Sequence, residues 1–262
     1  MEKIHVMTMN ILCDYGQYEE EFSFGKRTRA IESCLRAESP DVIGFQEVLP
    51  HQRKWLEDTF PDYMFCGTGR GSDYLNEGTP VAFRKDRFDL VFLETFWLSD
   101  TPGVPGSRFH TDQSFCPRIC TTVTLRDRES RHLFRHYNTH LDHEGETAKA
   151  QGMSVILCRM AEDYLKQPLP VILTGDFNSV PGSPAYRSAA GFEGCGAVLT
   201  DAAPGTGGTY HDFRPGEVDE KIDHIFTTLR CDTSESYTTK GKIGGTYPSD
   251  HWPVSAWLDY QK

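Results

Sequence analysis

Carboxylates and amides stand at the ends of this chain's apolar runs. Asn10 follows Val6-Met7-Thr8-Met9, Glu47 follows Ile43-Gly44-Phe45-Gln46, and Asp176 and Asn178 follow Val171-Ile172-Leu173. Asp223 lies inside the run 222–226, and Asp250-His251 precedes the run 254–258. Strand ends are where a rigid scaffold presents reactive groups. Carboxylates gathered there without a cation are costly to desolvate. A hard ion such as Mg²⁺, which takes one or two carboxylates together with water and a substrate phosphate, removes that conflict. Histidine titrates near neutrality and adds a group that holds or moves a proton. These residue types suit attack of water on a phosphate ester, where negative charge must be neutralised and water aimed in line. Taken singly, an Asp or Asn after a strand is a turn residue, and a His beside an Asp is a surface or capping group. The inference rests on six such pieces in one chain.

The elements that must position them follow from the hydropathy pattern. Residues 4–10 read as a first strand ending in a polar residue. Ala30, Ile31, Cys34 and Leu35 mark a helix over 26–38, stopped by Ser39-Pro40. Residues 41–47 read as a buried strand ending in a carboxylate, and 50–59 as a short helix opened by Pro50. Strand-like runs follow at 63–66, 80–84, 88–98, 119–125 and 133–139. A longer helix spans 146–165, with Pro168 and Pro170 framing its exit. Residues 171–174 form a short buried strand, 181–217 are rich in Gly, Pro and small residues and read as mostly loops, and 222–227 and 254–258 are the last strands. No repeat, low-complexity stretch or long linker interrupts the chain, so one domain over 1–262 is expected. Strands outnumber helices and are interrupted by them, which favours layered α/β packing over an all-β sandwich.

Composition narrows the class. The chain has 262 residues, 38% apolar and 25% charged, which suits a globular protein with a sizeable core. No run approaches the roughly 18 apolar residues of a membrane span. The start, Met1-Glu2-Lys3-Ile4-His5, lacks the layout of a secretory signal, so a cytoplasmic location is the default expectation. Eight Cys with no C-x-x-C read as buried or idle thiols rather than a disulfide framework or zinc site. A net charge of −11 argues against strong binding to long duplexes and fits a carboxylate-rich metal site.

Six segments in order resemble one family. Thr8-Met9-Asn10, Gln46-Glu47-Val48, Asn138-Thr139-His140, Gly175-Asp176-Phe177-Asn178, Ile222-Asp223-His224-Ile225 and Ser249-Asp250-His251 are similar to the ordered motifs of the endonuclease/exonuclease/phosphatase superfamily. The resemblance runs from Asn10 to His251 and implies a deoxyribonuclease I-like, four-layer α/β sandwich, with two packed mixed β-sheets flanked by helices. It implies Glu47 as the main ligand of Mg²⁺ or Mn²⁺, with Asn10 and Asp250 completing that metal site. It implies that Asp176 orients the attacking water and Asn178 holds that water or a phosphate oxygen. His251, oriented by Asp223, would act as base or charge stabiliser. His140 would stabilise the phosphorane or protonate the leaving oxygen, and Glu77, in Asn76-Glu77-Gly78-Thr79-Pro80, resembles its carboxylate partner. The Glu-Gly-Thr-Pro and Asn-Thr-His-Leu-Asp-His stretches look closer to the deadenylase/nocturnin-like and bacterial branch than to apurinic endonucleases.

Other residues carry two readings. Arg118 precedes a strand, where it grips the substrate phosphate or makes a surface salt bridge. Asp142-His143 line the cleft or only orient their loop. The segment 96–99 packs as core or offers a stacking aromatic. Tyr210-His211-Asp212 is a substrate contact or a plain turn. Gly205–Thr209 is no phosphate loop, having no Lys after it and no strand before it, and reads as a flexible rim. His132, His136 and His140 repeat every fourth residue, but in a strand that places neighbours about 13 Å apart, too far for one zinc ion. The expected substrate is a phosphorylated small molecule or a short nucleic acid. The alternative is a binding or scaffold module that kept the fold and lost catalysis; such a chain should lack one of Glu47, Asp176, Asn178 or His251.

Overall fold

The computed structural model describes residues 3–260. Met1, Glu2, Gln261 and Lys262 lie outside the described residues, and with them part of the segment read for a secretory signal. The strands are β1 (Lys3–Asn10), β2 (Val42–Gln46), β3 (Tyr63–Cys66), β4 (Val81–Arg84), β5 (Phe88–Trp97), β6 (Ile119–Asp127), β7 (Leu133–His140), β8 (Val171–Asp176), β9 (Thr200–Asp201), β10 (Asp223–Thr227), β11 (Arg230–Cys231), β12 (Tyr237–Thr238) and β13 (Val254–Asp259). The helices are α1 (Phe24–Glu38), α2 (Pro50–Thr59), α3 (Glu146–Lys166) and α4 (Pro184–Ala189). One mixed sheet runs β11-β13-β1-β2-β4-β3, with β12 against β13, and a second runs β5-β6-β7-β8-β10-β9.

Alternation along each strand sorts its residues into layers. Ile4, Val6 and Val42 from the first sheet meet Val123, Phe134, Ile172 and Ile225 from the second. Met7, Met9, Ile43 and Phe45 face outward and are covered by Phe24, Ile31 and Leu35 of α1 and Leu56 of α2. Tyr137, Leu173 and Phe226 face the other way, under Met153, Ile156 and Met160 of α3 and Ala185 of α4. The result is the four-layer sandwich expected from the sequence.

The inner face changes character along its length. The alternation that buries Ile4 and Val6 also places Thr8 and Asn10 inward. In the same way Val42 leads to Gln46, Phe134 to Asn138 and His140, and Ile172 to Thr174 and Asp176. These polar residues are all buried, and two of their contacts join the sheets, Asn10 to Asp176 and Gln46 to Asn138. Gln46 Nε2 donates to Asn138 Oδ1 at 2.7 Å, and Thr174 Oγ1 donates to the same oxygen at 2.9 Å. The sheets approach so closely here that a Cβ on Gly44 would lie 2.2 Å from Thr174 Oγ1.

The structure adjusts several boundaries. Helix α1 begins at Phe24 rather than 26, β2 ends at Gln46 so that Glu47 is no longer in the strand, and the stretch 181–217 contains α4 and β9. Helix α4 is a single short turn, opened by Ser183, whose side chain caps Tyr186 N, and by Pro184. Six residues give too few periods for an apolar pattern to be read.

Candidate active site

The polar end of the sandwich gathers the residues that end the strands. Asn10 closes β1 and its Nδ2 donates both to Glu47 Oε1, at 2.9 Å, and to Asp176 Oδ2, at 3.1 Å, tying the two sheets together. Glu47 and Asn178 each follow a strand with φ in the left-handed region, 62° and 47°. That conformation is uncommon for residues with a Cβ and turns both side chains out of the strand rhythm. Glu47 Oε2 accepts the Cys13 N–H at 2.9 Å, and Asp176 Oδ1 accepts the Asn178 N–H at 2.9 Å.

Two histidines flank Asp176. Strand pairing sets His140 beside it from β7 and Asp223 beside it from β10. His140 Nε2 lies 3.5 Å from Asp176 Oδ2 and 3.0 Å from Asn178 Nδ2. An amide nitrogen donates, so that contact places the His140 proton on Nδ1. His251 Nδ1 bonds Asp223 Oδ2 at 2.8 Å, and its Nε2 lies 3.8 Å from Asp176 Oδ2. Asp250, next to it, accepts from the Ser249 hydroxyl at 3.0 Å.

Burial and charge push these groups apart. Burial alone would lower His251, but Asp223, Asp250 and Asp176 outweigh it and hold the ring well above its ordinary range. His140 is driven well below its range by burial and by the neighbouring Arg118 and Arg70. Burial and the adjacent Asp223 push Asp176 up to about 7. Burial also pushes Glu47 up, but the Asn10 amide, the Cys13 N–H and His251 outweigh it and hold Glu47 below the usual carboxylate range. Asp250 is raised by burial.

A cation fits this donor set. Ligand atoms of Glu47, His140 and Asp176 lie within 4.8 Å of one another, as do those of Asp176, Asp223 and His251. Asp223 Oδ1 is buried without a hydrogen-bond partner among the described residues, and two of the carboxylates are raised by desolvation. Crowded carboxylate oxygens suit a hard ion rather than a soft one.

Glu47, His140, Asp176, Asn178, Asp250 and His251 line a cleft of about 460 Å³, together with Arg70, Arg118, His143, Lys149, Tyr18 and Tyr210, whereas Asn10 and Asp223 do not line it. One expected pairing is not formed. Glu77 stands in the cleft wall, but its carboxylate meets Arg70 and accepts from the Tyr15 hydroxyl at 2.9 Å, with no hydrogen bond to His140 among the described residues. Arg70, sitting between Gly69 and Gly71, takes the place the sequence offered to the histidine. Arg118 is not a surface residue: it is 4% exposed. Asp142 orients its loop by accepting the N–H groups of Ser114, Glu144 and Gly145, whereas His143 does line the cleft. The 96–99 segment is buried core. Tyr210 lies over His251, ring centres 4.9 Å apart, while His211 is buried against Trp252. Thr209 corrects the flexible-rim reading: it is fully buried and its hydroxyl accepts the Ile222 and Asp223 N–H groups. Cys13, Tyr18, Arg70 and Lys149 carried no spacing signal. Only the glycines around Arg70 hinted at a tight loop.

The model of the Endonuclease/Exonuclease/phosphatase family matches residues 7–251. A solved endonuclease/exonuclease/phosphatase from Bacteroides vulgatus is 30% identical, with a TM-score of 0.90 and 100% of both chains covered. A mannosyl-6-phosphatase from Bacteroides thetaiotaomicron is 28% identical, with a TM-score of 0.81, covering 98% of this chain and 100% of that one. The human Nocturnin catalytic domain, solved with bound sulfate, shares the fold at 19% identity and a TM-score of 0.73, over 99% of this chain and 95% of that one. An uncharacterized protein of Acanthamoeba polyphaga mimivirus is 24% identical over 181 residues, so the chain spans 66% of that relative's length, just under two thirds.

Proposed function

Because the chain belongs to the endonuclease/exonuclease/phosphatase family, we propose that it is a divalent-metal-dependent hydrolase of a phosphate ester on a small phosphorylated molecule. The observation that carries this reading is the meeting of Glu47, Asp176, Asp250 and His251, from two different sheets, in one cleft. A volume of about 460 Å³ suits a small ligand. The sugar-phosphatase relative and the net charge of −11 favour such a substrate over a long duplex. We take residues 1–262 as one catalytic unit, since both sheets contribute to that cleft. No helix among the described residues is long and apolar enough to cross a membrane.

Glu47 is the principal metal-holding residue in this reading, with Asn10 and Asp250 supporting it. Mg²⁺ or Mn²⁺ bound there supplies positive charge against the ester phosphate. The chain's own groups perform the remaining work. Asp176, with a pKa near neutrality, orients the attacking water and accepts its proton. Asn178 holds that water or a phosphate oxygen. His251, kept as an imidazolium by Asp223, stabilises charge at the scissile phosphate through Nε2. His140 lies across Asp176 from it, where it meets the phosphorane or the leaving oxygen. Arg118 contributes a guanidinium at the cleft wall. The inactive-scaffold alternative is disfavoured, since Glu47, Asp176, Asn178 and His251 are all present and line one cleft.

The test is phosphate release from a hexose 6-phosphate by protein stripped with chelator and then given Mg²⁺ or Mn²⁺. Turnover that returns with metal, and falls by more than about 100-fold in both Glu47→Gln and His251→Ala, is the expected result. Full turnover by the stripped protein would remove the metal, and unchanged turnover in either variant would remove that residue's role.

A further inference from the structure

Two arginines are buried in this chain in different ways. Arg27 is 0% exposed, and all three of its donor nitrogens reach main-chain carbonyls. Nε donates to Phe22, Nη1 to Ile11 and Pro248, and Nη2 to Leu12, at 2.6–2.9 Å. It is a complete structural anchor. Arg118 is nearly as buried, yet only Nη2 has a hydrogen-bond partner, His143 Nδ1 at 2.7 Å. Its Nε and Nη1 are buried with none among the described residues. Asp142 Oδ2 lies 3.6 Å from Nε, an ion pair beyond hydrogen-bond distance, and accepts the Ser114 hydroxyl. Leaving a buried donor without a partner is costly, more so for a charged group, and such groups in a folded protein call for a reason. Anchoring the fold does not supply one here.

Location does. Arg118 lines the cleft, as does His140. A small void of about 10 Å³ adjoins the cleft and shares with it Glu47, Arg70, Glu77, Arg118 and His140. That is room for about one oxygen-sized group and not for a carbon substituent. A phosphomonoester carries close to two negative charges near neutrality and three terminal oxygens. A diester carries one charge, two terminal oxygens and a second organic arm.

We propose that Arg118, flanked by Arg70, selects a terminal phosphomonoester over a phosphodiester by receiving the third terminal oxygen at the small void adjoining the cleft. The inference deepens the hydrolase reading and rests on it. Arg70 is held in place by Glu77 and by its own carbonyl, which accepts from Trp97 Nε1 at 2.7 Å. It adds the second guanidinium that a doubly charged group requires.

The experiment compares kcat/KM for p-nitrophenyl phosphate and bis(p-nitrophenyl) phosphate, with Mg²⁺, in the unaltered protein, Arg118→Gln and Arg118→Lys. The unaltered protein should favour the monoester by at least about tenfold. Arg118→Gln should lose roughly 10- to 100-fold on the monoester, the scale of a charge-assisted hydrogen bond, and under about threefold on the diester. Arg118→Lys, which keeps the charge but not the planar fork, should fall between them. Parallel losses on both esters, or a preference for the diester in the unaltered protein, overturn the inference and leave the hydrolase reading standing. No metal-dependent turnover of either ester overturns both. Should Arg118→Gln fail to fold, competitive inhibition of the unaltered protein decides. Inorganic phosphate binding about tenfold or more tighter than diethyl phosphate supports the selection, and equal inhibition overturns it.

Discussion

At the scale of single residues the site works by setting similar groups to different tasks. His251 and His140 are both buried beside Asp176, yet carboxylates surround one ring and guanidiniums the other. The prediction for the first is direct. In Asp223→Asn the hydrogen-bonding shape is kept and the charge is removed, so the His251 pKa should fall toward the ordinary range. A ring-carbon NMR titration without added metal reads this. With metal, kcat/KM should drop by roughly 100-fold, as when a positioned acid-base group is disabled. A His251 titration unchanged by the substitution would mean that Asp223 is not what holds its proton. These residues were legible in the sequence because each chemistry-bearing type borders or lies within an apolar run. Arg70 was not, because its role depends on a loop folding back so that it displaces His140 as the partner of Glu77. Nothing in linear spacing encodes that displacement.

At the scale of elements, what must be held is the distance between the two sheets, because Glu47 and Asp176 belong to different ones. Gly44 sets that distance. Its backbone is ordinary β-strand, so conformational freedom is not the reason for glycine; space is, since a Cβ would meet Thr174 Oγ1 at 2.2 Å and Asn138 Oδ1 at 2.4 Å. Both neighbours are locked into the Gln46–Asn138–Thr174 network and cannot swing away without leaving buried polar atoms unpaired. Gly44→Ala should therefore cost about 2–3 kcal/mol in urea unfolding, the scale of an overpacked core position. It should also lower turnover in the fraction that remains folded, because separating the sheets lengthens the Asn10 bridge from Glu47 to Asp176. A variant with unaltered stability would show that the sheets are free to part at this level. The strands themselves were readable from their apolar runs, and their inward polar ends from alternation. The network was not, because its partners lie 36 to 92 residues apart.

For the whole molecule, the same two-sheet packing couples stability to pH through a residue away from the chemistry. His136 sits on the inner face of β7, fully buried, with Nε2 bonded to Thr174 Oγ1 at 2.7 Å and Nδ1 unpartnered. Burial pushes its pKa down from 6.5 to about 3. The sequence placed His136 on a strand but gave no sign that it would face the other sheet rather than solvent or a metal. In the unfolded chain this histidine takes up a proton as pH falls below about 6.5, whereas in the folded protein it stays neutral until about pH 3. The unfolded state therefore binds more protons across that window, so stability falls as pH is lowered from 6.5 toward 3 and is fully present above 6.5. The slope from this one group is about 1.4 kcal/mol per pH unit. His211, pushed down to about 4 by burial, adds a second contribution of the same sign over a narrower window. Asp176, raised to about 7, holds its proton when folded and contributes with the opposite sign over the same window, so the His136 contribution is read as the difference in urea-unfolding slope between the unaltered protein and a variant. In His136→Gln, whose amide can still bond Thr174, the slope should shrink by roughly that 1.4 kcal/mol per unit while the His211 contribution remains. An equally steep slope in the variant would show that protonation at the sheet interface does not set the acid limit of the fold.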